Sequence, residues 1–205
     1  MAESPCKALS MSEAEDVCVT FVRAWSESVL RQVARVKDVS REAAKLNRQL
    51  DHEWDPSTDE ALSAIWRQNW TEAHALVWSI HQLDRWGRRL AEERGEEPPR
   101  EHLVLRDVRN TLEHLDEARL DKGHVAEPGE DQSRNRSMRR LPGGRLYIAT
   151  GGKLFGSLEL AELETIAREQ LERMKQESME REEAMIEAAV DSYIDSVIDA
   201  RRETR

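Results

Sequence analysis

Residues that break or cross-link helices are scarce in this chain. Its 205 residues include 9 Gly, 6 Pro and 2 Cys, and aromatic side chains make up 5%. So little Gly and Pro, set beside abundant Ala, Leu, Glu and Arg, disfavours a turn-rich β-fold and favours helices. The two thiols, Cys6 and Cys18, lie near the N-terminus without CxxC spacing. That argues against a disulfide framework and suits reduced thiols in a cytosolic protein. The histidines form no zinc pattern, and nothing in the sequence calls for a metal or a cofactor. Long apolar runs are also missing. No window approaches a membrane span, and MAESPCKALSMSEAED has no apolar segment of signal-peptide type, so a soluble, cytoplasmic protein without a membrane partner is expected. Basic excess is absent too. With 31 Lys and Arg against 41 Asp and Glu, the formal charge of −10 excludes a generic nucleic-acid coat but leaves room for a local basic patch.

What is present is helical periodicity. Ser12-Glu13-Ala14-Glu15 fits a capping box, and Val17, Phe21, Ala24, Trp25, Val29, Val33, Val36 and Val39 continue at helical spacing to about Leu50. Asp55-Pro56-Ser57 interrupts the pattern. A second helix is expected from near Thr58 to Glu93, where Arg94-Gly95-Glu96-Glu97-Pro98-Pro99 stops it. Its core stripe is Leu62, Ile65, Trp66, Asn69, Ala73, Leu76, Ile80 and Leu83. A third helix is expected over Arg100–Arg119. Residues 121–144 read as a long loop, and 145–155 as a small β-hairpin turning at Gly151-Gly152. From Leu158 the helical spacing returns, and a charged tail over 175–205 carries a second apolar stripe from Met185 to Ile198. The chain therefore reads as mainly α: a four-helix up-and-down bundle over 12–174 with an inserted hairpin, a flexible N-terminus over 1–11 and a C-terminal helical extension.

One stretch, Arg106-Asp107-Val108-Arg109-Asn110-Thr111-Leu112-Glu113-His114-Leu115-Asp116-Glu117, suggests a chemistry. Val104, Leu105, Val108, Leu112 and Leu115 form its apolar stripe. Arg109 lies on the edge of that stripe, Asn110 opposite it, and His114 four residues beyond Asn110 on the same side. Arg109 and His114 stand about 140° apart around the helix, so they would meet most readily in a groove. Glu113 can pair with Arg109.

Arg109-Asn110-Thr111-Leu112-Glu113-His114 resembles the R-x(4–6)-H motif of HEPN domains, including the polar residue after the arginine. The resemblance spans roughly Ser12–Met174 at the level of fold and these six positions at the level of motif. It implies a four-helix bundle, commonly dimeric, and in the family's ribonucleases the Arg and His of two protomers line a shared cleft. The implied activity is metal-independent endoribonuclease chemistry of a defence or toxin-antitoxin type, with Arg109, Asn110 and His114 as the site and RNA, and an antitoxin or other protein, as partners. Leu112 replaces the tyrosine that some family members carry two residues before the histidine, so regulation by nucleotide transfer at that position is not implied. Many HEPN-like proteins are non-catalytic association modules, and a dimerising or scaffolding module is the alternative reading.

Three further features bear on function. On the second helix Trp78 faces away from its core stripe together with His74, His81 and Arg85, which marks either a dimer or partner interface or a helix covered on both sides. Arg134, Arg136, Arg139 and Arg140 cluster in the long loop, as solvated side chains or as RNA-phosphate contacts. Thr150-Gly151-Gly152-Lys153-Leu154 lacks the first glycine and the Ser/Thr of a phosphate loop and reads as a turn.

Overall fold

A computed structural model describes residues 11–52, 55–121, 124–126, 136–147 and 153–203 of the chain. Ser12 opens helix α1 (Glu13–His52) by accepting the Glu15 backbone N–H on its Oγ at 3.1 Å. The Glu15 carboxylate turns to other helices, accepting hydrogen bonds from Arg94 at 3.0 Å and Arg181 at 3.1 Å. Helix α2 (Pro56–Glu93) starts two residues before the expected Thr58. Pro56 takes a first-turn position, where a missing N–H costs nothing, and the Asp55 carboxylate caps the backbone N–H groups of Ser57 and Thr58. Side-chain hydrogen bonds from Ser57 and Thr58 hold the Asp55 carboxyl down at about 2.

Helix α1 runs antiparallel to α2 and to helix α4 (Leu160–Glu203). Ser28 meets Ser79 at 3.0 Å and Arg35 meets Glu72 at 3.7 Å along the first seam. Lys37 meets Glu164 at 2.5 Å along the second. Between the three helices Val22, Val29, Val33, Leu76, Ile80, Leu163 and Met174 are at most 2% exposed. Each such side chain contributes about 1.5–3 kcal/mol by leaving water. The inward stripe of α1 differs from expectation in its first two turns. Val17 and Phe21 are 43% and 39% exposed, and Cys18, Val22 and Ser26 are buried in their place. The two sets lie on adjacent ridges of one helix, and Phe21 stacks on Trp86 at 4.3 Å along the rim.

Helix α3 (Leu103–Glu113) is shorter than the expected Arg100–Arg119. His102 caps its start, its Nδ1 accepting the Leu105 N–H at 3.2 Å. Its end comes at His114, which adopts φ −115°, ψ 27°, and a 3-10 turn over Leu115–Glu117 leads away. Leu105, Val108 and Leu112 are buried as expected, whereas Val104 is exposed.

The strand that opens the hairpin expected over 145–155 pairs, among the described residues, with an earlier segment. Strands β1 (Arg119–Asp121), β2 (His124–Ala126) and β3 (Arg145–Tyr147) form an antiparallel sheet in the order β1-β2-β3, with Val125 opposite both Leu120 and Leu146. The Gly151-Gly152 turn lies outside the described residues. Leu154 pairs with Leu158 rather than with β3. Phe155 takes the left-handed region (φ 52°), an uncommon place for an aromatic residue, and Gly156 follows at φ 74°. The tight turn drives the Phe155 ring into the core, edge-on to Trp70 at 5.2 Å, and a side chain at Gly156 would run into the Tyr147 ring.

The expected structureless loop is likewise anchored in part. Residues 119–121 and 124–126 are strand, and Met138 and Leu141 are buried at 0% and 3% exposure. Arg140 pairs with Asp107 of α3 at 3.6 Å. The tail continues α4 without a break. The chain is thus mainly helical with four α-helices, which is compatible with a four-helix bundle, and none of the described helices is long and apolar enough to cross a membrane.

Arg94, at the C-cap of α2, ties the three long helices together. Its guanidinium, with a side chain 11% exposed, donates to Glu15 of α1 and, through both terminal nitrogens, to Glu177 of α4 at 3.1 and 2.7 Å. Burial opposes the charge on Glu177, but hydrogen bonds from Arg94 and Arg173 outweigh it and hold the carboxyl below its usual range. Arg94→Met should lower unfolding free energy by about 1–3 kcal/mol, because two partly buried carboxylates lose their charged donor. Urea unfolding of the variant beside wild type measures this.

Candidate functional site

The polar faces of α2 and α3 enclose a groove of about 630 Å³. Five arginines line it: Arg85, Arg88 and Arg89 from α2, Arg106 and Arg109 from α3. Asp84, Glu92 and Glu101 supply the opposing charge. Five cations against three carboxylates make this a locally positive surface on a chain of net charge −10. The spacing accounts for it. Residues 85, 88 and 89 fall on one side of α2, and 106 and 109 on one side of α3. The α3 apolar face, buried through Leu105, Val108 and Leu112, turns that side toward α2.

Arg109 stands at the inner end of the groove, with its side chain 24% exposed. Its guanidinium lies over the Trp78 ring, 5.6 Å from the centroid. Nη1 donates to Asn110 Oδ1 at 2.9 Å, and Nη2 pairs with Glu113 one turn further along the helix. Nε is buried and has no hydrogen-bond partner. The Trp78 contact is worth about 0.5–1 kcal/mol for a half-exposed pair and fixes the plane of the fork. Asn110 then presents its amide beside it, so both residues expected to act on phosphate lie together.

Beside them stands His81. Its ring is 6.3 Å from that of Trp78, and it lines the groove with Arg109 and Asn110. Burial first, then the positive charges of Arg109 and Arg85, push its pKa below the ordinary 6.5. The imidazole is therefore neutral at physiological pH and able to accept a proton. Burial also raises Asp84 above its ordinary value, against the opposing charge of Arg88.

The histidine expected to complete the site is placed differently. His114 terminates α3 as its C-cap and is exposed; its backbone N–H donates to Thr111 O at 3.3 Å. It does not line the groove. Its expected place, four residues along from Asn110 on one face, requires a helix that continues, and α3 stops one residue short of it.

The expected interface set is divided. Trp78 is 42% exposed, with one face under Arg109 of the same chain. His81 and Arg85 belong to the groove. His74 is exposed one turn away, edge-on to Trp70 at 6.4 Å. Of the loop arginines, Arg134 lies outside the described residues, Arg136 and Arg139 are exposed, and Arg140 is engaged with the buried Asp107. Among the described residues, no group of three or more His, Cys, Asp or Glu is placed to hold a metal ion.

Sequence reasoning missed Arg88, Arg89 and Arg106. The signal was available: arginines at 85, 88 and 89, all in the C-terminal half of the long helix, face a short helix with arginines at 106 and 109. Their local engagements differ. Arg88 donates to the Pro99 carbonyl at 3.0 Å, Arg106 to Glu101 at 2.6 Å, and Arg89 pairs with Glu92 at 3.6 Å. Arg85 is exposed and has no ion pair among the described residues, which makes it the cation most ready to receive an anion.

The depressed His81 pKa sets a pH dependence. Below about 6.5 the unfolded chain takes up a proton that the folded chain resists, so stability is full above that pH and declines as pH falls toward the folded pKa. Urea unfolding at pH 7.5 and 5.5 should show a larger loss for wild type than for His81→Asn. Equal losses in both proteins would mean that His81 is not held neutral.

No known protein family, characterised protein or solved structure matches this chain, so the chemistry of the groove rests on its own residues.

Proposed function

We propose that the chain is a HEPN-like, metal-independent endoribonuclease that binds RNA phosphates in the α2–α3 groove. The observation that carries this reading is the concentration of five arginines, Arg109 among them, in one groove with Asn110 on an otherwise acidic chain. The Trp78 ring fixes the plane of the Arg109 fork, and a phosphodiester would take the place of Asn110 or Glu113 on its terminal nitrogens. The R-x4-H motif supplies the reaction class, a composite site at a dimer cleft, and a setting in defence or toxin-antitoxin systems.

In this reading a neutral imidazole takes the proton from a ribose 2′-hydroxyl, and the resulting oxyanion attacks phosphorus. Arg109 stabilises the charge on the pentacoordinate phosphorane. The 5′-oxygen departs with a proton from a protonated imidazole, which leaves a 2′,3′-cyclic phosphate and a 5′-hydroxyl end. The motif assigns a proton-transfer role to His114. The groove adds His81, which is neutral beside Arg109 and suited to the base. Asn110 positions the Arg109 fork through its carbonyl oxygen. Arg136 and Arg139, exposed on or beside the turn that packs against α3, are further candidates for RNA-phosphate contacts.

A second reading is a non-catalytic dimerising or scaffolding module. It is favoured by the local saturation of Arg109, whose terminal nitrogens are taken by Asn110 and Glu113 of its own helix while its contact with Trp78 holds α3 against α2.

Cleavage of total RNA and tRNA in EDTA separates the two. The ribonuclease reading expects cleavage with cyclic-phosphate ends, reduced roughly 10²–10³-fold by Arg109→Ala. His114→Ala and His81→Ala should each reduce it about 10²–10⁴-fold, with helix content retained by circular dichroism. Absence of cleavage by wild type, or cleavage that survives all three substitutions, supports the module.

A further inference from the structure

Helix α4 outruns the body it packs on. Arg181 lies opposite Glu15, near the start of α1, so the helix beyond Ile186 extends roughly 26 Å further with no long helix beside it among the described residues. This overhang is not polar all round. Met185, Ile186, Val190, Tyr193, Ile194 and Ile198 are 43–70% exposed. Ile186, Val190, Tyr193 and Val197 recur at steps of four, three and four, the spacing of a coiled-coil seam. A free helix end with such a stripe is expected to fray in water, because packing of the apolar face supplies most of a helix's stability.

Charge decides what covers it. Between residues 182 and 199 the sequence holds six acidic residues and no Lys or Arg, and the first cation after them is Arg201. A parallel pair of such helices would set the acidic shanks side by side. An antiparallel pair reverses one copy, so that the basic tip of each lies over the acidic start of the other. In the register that places Val190 against Tyr193, Ile186 meets Val197 and Glu183 meets the small Ala200. Arg201 then sits beside Glu180 and Glu183 of the second copy, on the same flank. Glu187 flanks the seam, and Asp191 and Asp195 fall on the outer side, away from it.

At the base of the overhang a groove of about 550 Å³ runs between the start of α1 and α4, lined by Val19, Met174, Met185, Ile186 and Ala189 among others, with charges of both signs from Asp16, Glu182, Arg23 and Arg181. Its apolar residues are continuous with the stripe through Ile186, over which Val197 of the second copy arrives in the same register. We infer that the α4 overhang pairs antiparallel with that of a second copy of this chain, the basic tip of each lying beside Glu180 and Glu183 of the other. The paired length of roughly 25 residues exceeds the 12–15 below which an isolated helix is marginal. This interface stands apart from the α2–α3 groove and does not depend on the ribonuclease reading.

The test is sedimentation equilibrium of the full chain. Wild type should be a dimer at micromolar concentration. Val190→Glu combined with Val197→Glu should raise the dissociation constant at least roughly 100-fold while leaving urea unfolding of the body unchanged. Glu183→Arg should weaken the dimer, and adding Arg201→Glu should restore it. A wild type that is monomeric at every concentration would overturn the proposal and leave the face to another segment of the chain or to a different protein. A double glutamate variant that assembles with the same mass and dissociation constant as wild type would also overturn it, because the assembly would then rest on another surface.

Discussion

The Arg94 guanidinium is the constraint on which the geometry of the groove depends. It sits where α2 ends, and it reaches Glu15 near the start of α1 and Glu177 in the middle of α4. Apolar packing between α1, α2 and α4 is not directional and tolerates sliding along the seams. A bidentate arginine–carboxylate pair is directional, and it fixes the axial register of all three helices at one end. The chain leaves this point through Gly95 (φ 68°) and a proline-containing link, and delivers α3 back along the polar side of α2. Displacing the end of α2 would therefore displace the spacing between Arg85, Arg88 and Arg109.

The groove that results is a local reversal of a global charge. Five arginines gather in one cleft of a chain whose net charge is −10. At physiological ionic strength fields decay over about 8 Å, so five arginines in one cleft act without interference from the acidic face of the α4 tail. The cost of crowding them is visible in their neighbours. Asp84, Glu92 and Glu101 are interleaved with the arginines, and the charges of Arg109 and Arg85 add to burial in lowering the His81 pKa. Trp78 serves the same end, since an aromatic face stabilises a guanidinium without adding a carboxylate that would compete with phosphate.

How much was legible in the sequence follows from the range of each signal. Signals confined to a few residues read correctly: the Ser12 cap, the stop after Glu93 and the buried Leu105-Val108-Leu112 stripe, while Asp55-Pro56, read as a break, proved to be the cap and first residue of α2. Features set by partners far along the chain did not. Gly151-Gly152 suggests a local hairpin, but Leu146 pairs with Val125, and a pairing across a long insertion leaves no periodic trace. The inward ridge of α1 shifted from Phe21 to Val22 because Trp86, more than sixty residues away, offers Phe21 a place on the rim. For the site, the sequence located Arg109 and Asn110 but carried α3 through His114. The end of a helix only a few turns long is decided by the strand that follows, and the histidine brought to the groove comes from α2.

Binding of RNA phosphates in the α2–α3 groove is tested most directly by the salt dependence of single-stranded RNA affinity. The dissociation constant of wild type and of Arg85→Ala should be measured by anisotropy between roughly 50 and 200 mM salt. The logarithm of the affinity should fall linearly with the logarithm of salt concentration. The slope should be shallower by about 0.7 in the variant, as expected when one fewer phosphate of a single strand is neutralised. Wild type that fails to bind at the lowest salt, or a variant with an unchanged slope, would contradict RNA binding in this groove.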